Sequence, residues 1–133
     1  MTRRQARKRV LDCLYEVELG KSADEFLEQY SDDKHYGFIK KFVETVSENT
    51  QFCDDIISRY SKNWELGRIT KVDKLILRMG ISEIKKMDID KRIVINEAVE
   101  LAKVYSTEKS PAFINGILNR AANDEEKTGG DGK

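Results

Sequence analysis

Apolar residues recur at helical spacing along almost the whole chain. Ala6, Val10, Cys13, Leu14 and Val17 form a first stripe, widened by Leu11 and Tyr15. Ahead of it, Thr2-Arg3-Arg4-Gln5 reads as a capping box, with Thr2 as N-cap and Gln5 reaching back. Gly20 sits where a left-handed residue closes a helix. Ser22-Ala23-Asp24-Glu25 is a second box, opening a short helix with Phe26, Leu27 and Tyr30. A longer helix from about Lys34 buries Tyr36, Ile39, Phe42, Val43 and Val46. Asn49 or Thr50 starts another, carrying Phe52, Cys53, Ile56, Ile57 and Tyr60. Ser61 to Ile69, with Asn63, Trp64 and Gly67, reads as the main internal loop.

Thr70 N-caps the next helix, with Asp73 at its third position. Its apolar residues, Val72, Leu75, Ile76, Leu77, Met79, Ile81 and Ile84, cover most of the circumference, which predicts a helix at the centre of the fold. Ile95, Ala98, Val99 and Ala102 mark a further amphipathic helix. Ser110-Pro111 predicts an N-cap followed by proline at the first helical position, ahead of Phe113, Ile114, Ile117, Leu118 and Ala121. Gly116, inside that helix, costs about 1 kcal/mol relative to alanine, which points to the close approach of another helix or of a ligand, the helix being the first expectation. No alternating strand pattern and no repeat emerges. The expectation is an all-α fold of about seven helices, one domain over residues 1–122, and a charged, disordered tail over 123–133.

Composition narrows the function classes. A chain of 133 residues buries enough surface to fold without metals or disulfides. Two cysteines, Cys13 and Cys53, lie on apolar stripes and read as buried thiols. His35 is the sole histidine, so no second base exists for a Ser-His or Cys-His pair, and no glycine-rich phosphate loop occurs. No enzyme activity, metal or cofactor is expected. Neither a signal-type apolar segment nor a stretch approaching the ~18 apolar residues of a membrane span is present, so a cytoplasmic location is expected.

Lysines plus arginines number 24, as do aspartates plus glutamates, yet the charges are segregated. Residues 1–10 hold Arg3, Arg4, Arg7, Lys8 and Arg9 with no acid; residues 11–33 hold eight acids against Lys21. A helix N-terminus carries about half a positive charge, so cations there work against folding. Arg3 with Arg7, and Arg4 with Lys8, also repel across one turn. Such a cluster is either a solvated arm balanced by acids such as Asp32 and Asp33, or a site awaiting phosphates, and the preponderance of arginine favours phosphates. A second candidate surface gathers Lys103, Tyr105, Lys109, Ser110 and Phe113, although Phe113 falls on the core stripe and reads first as packing.

Four segments in order resemble one family, NusB. Arg3-Arg4-Gln5-Ala6-Arg7 with Leu11, Leu14 and Tyr15 is similar to its arginine motif. Trp64, Arg68 and Leu77-Arg78-Met79 to Glu83-Ile84 resemble its central segment. Ile95-Asn96-Glu97-Ala98-Val99-Glu100-Leu101-Ala102-Lys103 and Phe113-Ile114-Asn115-Gly116-Ile117-Leu118 resemble its two C-terminal signatures. Asp90 stands where the family often has proline, and Lys8 where an acid is common.

The resemblance implies two roughly perpendicular three-helix bundles. It implies an antitermination factor that binds the boxA element of nascent ribosomal RNA leaders together with NusE, a small-subunit ribosomal protein, and so reaches RNA polymerase indirectly. By position it implies RNA contacts at Arg3, Arg4, Arg7 and Lys8, and further ones at Lys103, Phe113 and Asn115. Arg68 and Asp73 are implied at the NusE surface. The competing reading is a helical protein–protein adaptor whose basic arm docks on an acidic partner.

Overall fold

The structure, a computed structural model, describes residues 1–61 and 69–124. Among these residues the chain forms seven helices and no strand: α1 (Arg3–Glu18), α2 (Ala23–Glu28), α3 (Tyr36–Glu48), α4 (Thr50–Tyr60), α5 (Lys71–Lys85), α6 (Lys91–Tyr105) and α7 (Ser110–Ala122). The all-helical expectation holds, and the starts and stops follow from local chemistry. Thr2 and Gln5 make the reciprocal capping box: the Gln5 N–H donates to Thr2 Oγ1 at 3.0 Å and the Thr2 N–H donates to Gln5 Oε1 at 2.8 Å. At the other end of α1, Gly20 has φ +94°. Its N–H bonds Val17 O at 2.9 Å, and the Lys21 N–H bonds Glu16 O at 3.0 Å, closing a Schellman motif. Thr70 and Asp90 cap α5 and α6 through their side-chain oxygens.

The circumferentially apolar α5 is the hub, packing against α1, α3, α4, α6 and α7. Helices α1, α2 and α3 pack on one another, as do α5, α6 and α7, and one continuous apolar cluster runs through both groups. Cys13 and Cys53 are buried as expected; desolvation lifts each thiol to about 11.

Three local expectations change. Helix α7 begins at Ser110 itself, so Pro111 is its second residue, and the Ser110 hydroxyl turns inward to Asp73 Oδ2 at 2.8 Å rather than capping. Asn123 and Asp124 are not free tail: the Lys85 ammonium donates to Asp124 O at 2.6 Å, the Tyr60 hydroxyl donates to its Oδ2 at 2.8 Å, and Arg59 pairs with the same carboxylate. The polar character of these residues hid a clamp between the C-terminal ends of α4 and α5; the rest of the expected tail lies outside the described residues. No second helix approaches Gly116, where an added Cβ would meet only Arg120 Nη2 at 3.8 Å. The close approach is instead at Gly80 of α5, where that Cβ would lie 2.8 Å and 2.9 Å from the two methyl carbons of Leu118 on α7.

Candidate nucleic-acid interface

The first turns of α1 lie where α3, α5 and α6 converge on them, and each cation of the arm meets a carboxylate or an aromatic ring. The Arg3 guanidinium sits over the Phe38 ring of α3, 4.0 Å from its centroid. Arg4 donates from Nε and Nη2 to the two oxygens of Glu97 on α6, both at 2.9 Å. This carboxylate also raises the Arg4 pKa, first through its hydrogen bonds and then through its charge. One turn further, Arg7 forks onto Glu83 of α5, with Nε 3.0 Å from Oε1 and Nη2 2.7 Å from Oε2. Lys8 bonds Asp12 at 2.6 Å and lies 4.7 Å from the centre of the Tyr105 ring. Arg9 reaches the other oxygen of Asp12 at 3.3 Å.

Exposure separates these groups. Arg3 and Arg4 are open, and the Arg4 side chain keeps 60% of its accessible surface. Arg7 keeps 5% and is walled in by the core. Arg7, expected among the RNA contacts, is held on its Nε–Nη2 edge by Glu83, which ties α1 to α5. The acids that balance the arm are also not Asp32 and Asp33; they are Glu97, Glu83 and Asp12, while Asp33 binds the Met1 ammonium at 3.2 Å.

Arg3 alone in the arm has no carboxylate partner among the described residues. Its two faces are inequivalent, one covered by Phe38 and the other open, and its N–H edge remains available. Between α1 and α6 runs a groove walled by Arg4, Lys8 and Arg9 on one side and by Glu97, Glu100 and Val104 on the other. Val104 and Tyr105 are exposed at its end.

The remaining expected residues divide. Lys103 is exposed, with its ammonium on Glu100 at 3.2 Å. Asn115 lines a second groove, between α6 and α7, together with Lys91, Arg92, Asn96 and Asn119. Asn115 is therefore not on the α1–α6 groove with the arginines. Phe113 is half-buried and packs against the apolar cluster, as its place on the stripe suggests.

Asp73 is 6% exposed, and both of its oxygens are taken, Oδ1 by the Ser106 hydroxyl at 2.5 Å and Oδ2 by Ser110. Asp73, expected at the partner surface, thus fixes the α6–α7 connection on the start of α5. Arg68 lies outside the described residues.

Phe38, Glu83 and Glu97 escaped the sequence reading as site residues. Glu83 did leave a signal, an acid inside a helix apolar on nearly every side, which demands a buried cation. Phe38 stands one position off the Ile39, Phe42, Val43 and Val46 stripe, and an aromatic so placed is free to carry something on its face. Glu97 left no signal, because an acid on a polar helix face is ordinary.

Against known proteins, the model of the NusB family matches residues 4–123. Transcription antitermination protein NusB of Listeria monocytogenes is 40% identical over 124 residues, which covers 92% of this chain and 97% of that protein. The structure of NusB from T. maritima superposes with a TM-score of 0.83 at 34% identity, covering 93% of this chain and 92% of that one. A structure of the antitermination factors NusB and NusE in complex with double-stranded RNA gives 0.76 at 27% identity, over 92% and 98% of the two chains.

Proposed function

The chain belongs to the NusB family of transcription antitermination factors, and from that premise we propose that it binds the boxA element of nascent ribosomal RNA leader transcripts jointly with NusE. On this reading Arg3, Arg4 and Lys8 hold phosphates of a single strand, and the α6–α7 groove with Asn115 carries the strand onward. Lys103 and Phe113 flank that path. The proposal takes support from a structure of family relatives in which NusB and NusE are in complex with double-stranded RNA, which shows the pair with a polyanion of the same backbone chemistry.

The observation that carries the reading is the state of Arg3. An arginine at the positive end of a helix, with no acid to neutralise it among the described residues, is unfavourable for folding by its charge, and the Phe38 ring beneath it offsets only part of that cost. It is favourable as a fixed donor edge for an anion, where the helix dipole adds to the attraction. Lys8 and Arg4 extend the positive strip along the same helix, and the side-chain amides of Asn96, Asn115 and Asn119, the last donating from Nδ2 to Asn115 O at 2.9 Å and Oδ1 at 3.2 Å, line a groove whose chemistry suits base edges. The adaptor reading has no comparable feature, since an acidic partner does not require stacked, edge-exposed guanidinium groups.

This reading assigns phosphates to three of the arm's five cations, Arg3, Arg4 and Lys8. At −0.7 per phosphate, log K against log salt should slope at about −2 for a single strand. Fluorescence anisotropy with a labelled boxA RNA, with and without NusE, measures this. Arg3→Ala should weaken binding and flatten the slope. Partner binding that fails in Arg3→Ala while RNA binding stays unchanged would establish the adaptor instead.

A further inference from the structure

Resting on the RNA-binding reading, we infer that Glu97 is a positioning residue for RNA: an acid in the interface whose removal weakens binding of a polyanion. Naive charge counting gives the opposite sign, because deleting Glu97 makes the groove more positive. The geometry decides between the two. Glu97 takes the Nε–H and one Nη2 hydrogen of Arg4, a side-on fork with both distances 2.9 Å. A guanidinium has five N–H donors, so the Nη1 pair and the second Nη2 hydrogen remain. None of these three has a partner among the described residues. Two of them, one on each Nη, form the end edge of the guanidinium, so a phosphate can take that edge bidentately without displacing the carboxylate.

The pair is also polar in a useful direction. The Glu97 side chain keeps 15% of its accessible surface and the Arg4 side chain 60%, so the acid sits below and the cation above. The backbone under Arg4 is already fixed, by the Thr2 box on one side and by the Arg7–Glu83 fork one turn on. With α1 and α6 both held, Glu97 leaves the Arg4 guanidinium one orientation. Without it, a long exposed side chain must be ordered when the RNA arrives, and that ordering is charged against affinity. The other acid of the groove, Glu100, holds Lys103 at 3.2 Å and acts on Arg4 through its charge alone, with no hydrogen bond to it.

The test is a double-mutant cycle on the full chain with NusE, read by anisotropy of a labelled single-stranded boxA RNA over a salt series. Glu97→Ala should weaken binding about fivefold and leave the salt slope unchanged, because Arg4 still meets its phosphate once ordered. Arg4→Ala should weaken binding at least as much and reduce the slope by about 0.7, the value of one phosphate contact, and the double variant should bind no worse than Arg4→Ala alone. Glu97→Gln, which keeps one acceptor, should recover part of the loss. If Glu97→Ala does not fold, Glu97→Gln must still bind less tightly than the native chain. Equal or tighter binding by the folded glutamate variants, or losses that add in the cycle, overturns the inference while leaving the RNA-binding reading intact. A native chain that fails to bind RNA at all overturns both.

Discussion

The Arg7–Glu83 fork offers a large and well-defined perturbation. Arg7 is 5% exposed and Glu83 2%, and their three hydrogen bonds measure 2.7 to 3.2 Å. Removing one partner strands the other as an unpaired buried charge, at a cost of roughly 3–5 kcal/mol. Arg7→Met and Glu83→Leu should each lose about that much in urea unfolding followed by circular dichroism, with the slope of the transition unchanged. In a domain of this size each kcal/mol is worth about 4 °C, so the thermal midpoint should fall by about 12–20 °C.

The double variant Arg7→Met with Glu83→Leu removes both charges and fills the space with apolar atoms. It should recover most of the loss, because desolvating an ion pair nearly cancels its attraction. The cycle thus gives a coupling well above 1 kcal/mol. Singles that cost under about 1 kcal/mol, or a double that costs the sum of its parts, refute the reasoning. RNA binding supplies an independent check. At a temperature where Arg7→Met remains folded, its salt slope should equal that of the native chain, since a buried guanidinium touches no phosphate; a slope flattened by about 0.7 places Arg7 in the interface after all.

The two mid-helix glycines should respond in opposite directions to alanine. Gly116→Ala fills open space on a helix and should raise stability by up to about 1 kcal/mol, while Gly80→Ala drives a Cβ to 2.8 Å from a Leu118 methyl carbon and should lower it, both read by the same urea titration. Both thiols are buried and lifted to about 11 by desolvation, so neither should react with a thiol-specific disulfide reagent at pH 8 in the native state. Two equivalents should appear on addition of denaturant, and fast labelling of either cysteine in the folded chain contradicts the burial.

What was legible in the sequence was whatever the chain decides over short distances. Capping boxes act between residues three apart, and apolar stripes repeat every turn, so α1 to α7 could be read from the chain with starts displaced by a residue or two. The pairing of Arg4 with Glu97 spans 93 positions and that of Arg7 with Glu83 spans 76. Nothing local selects Glu97 over Asp32 or Asp33, which lie nearer in the chain and equally acidic. The two glycines show the same limit, since the helix that needs room is fixed only when α5 meets α7.

The consequence for function is a change in what the arginine cluster is. Read from the chain, it is a reservoir of five positive charges; folded, it has carboxylates at four of them and an aromatic ring under the fifth. Bulk attraction is therefore weak, and recognition must come from where the donor edges point. A polyanion that merely needs charge gains little here, whereas a strand whose phosphates match the spacing of Arg3 and Arg4 gains fixed donors with little ordering left to do. The proposed interface thus favours selectivity among RNAs over raw affinity, and the salt slope should be shallower than the number of basic residues suggests.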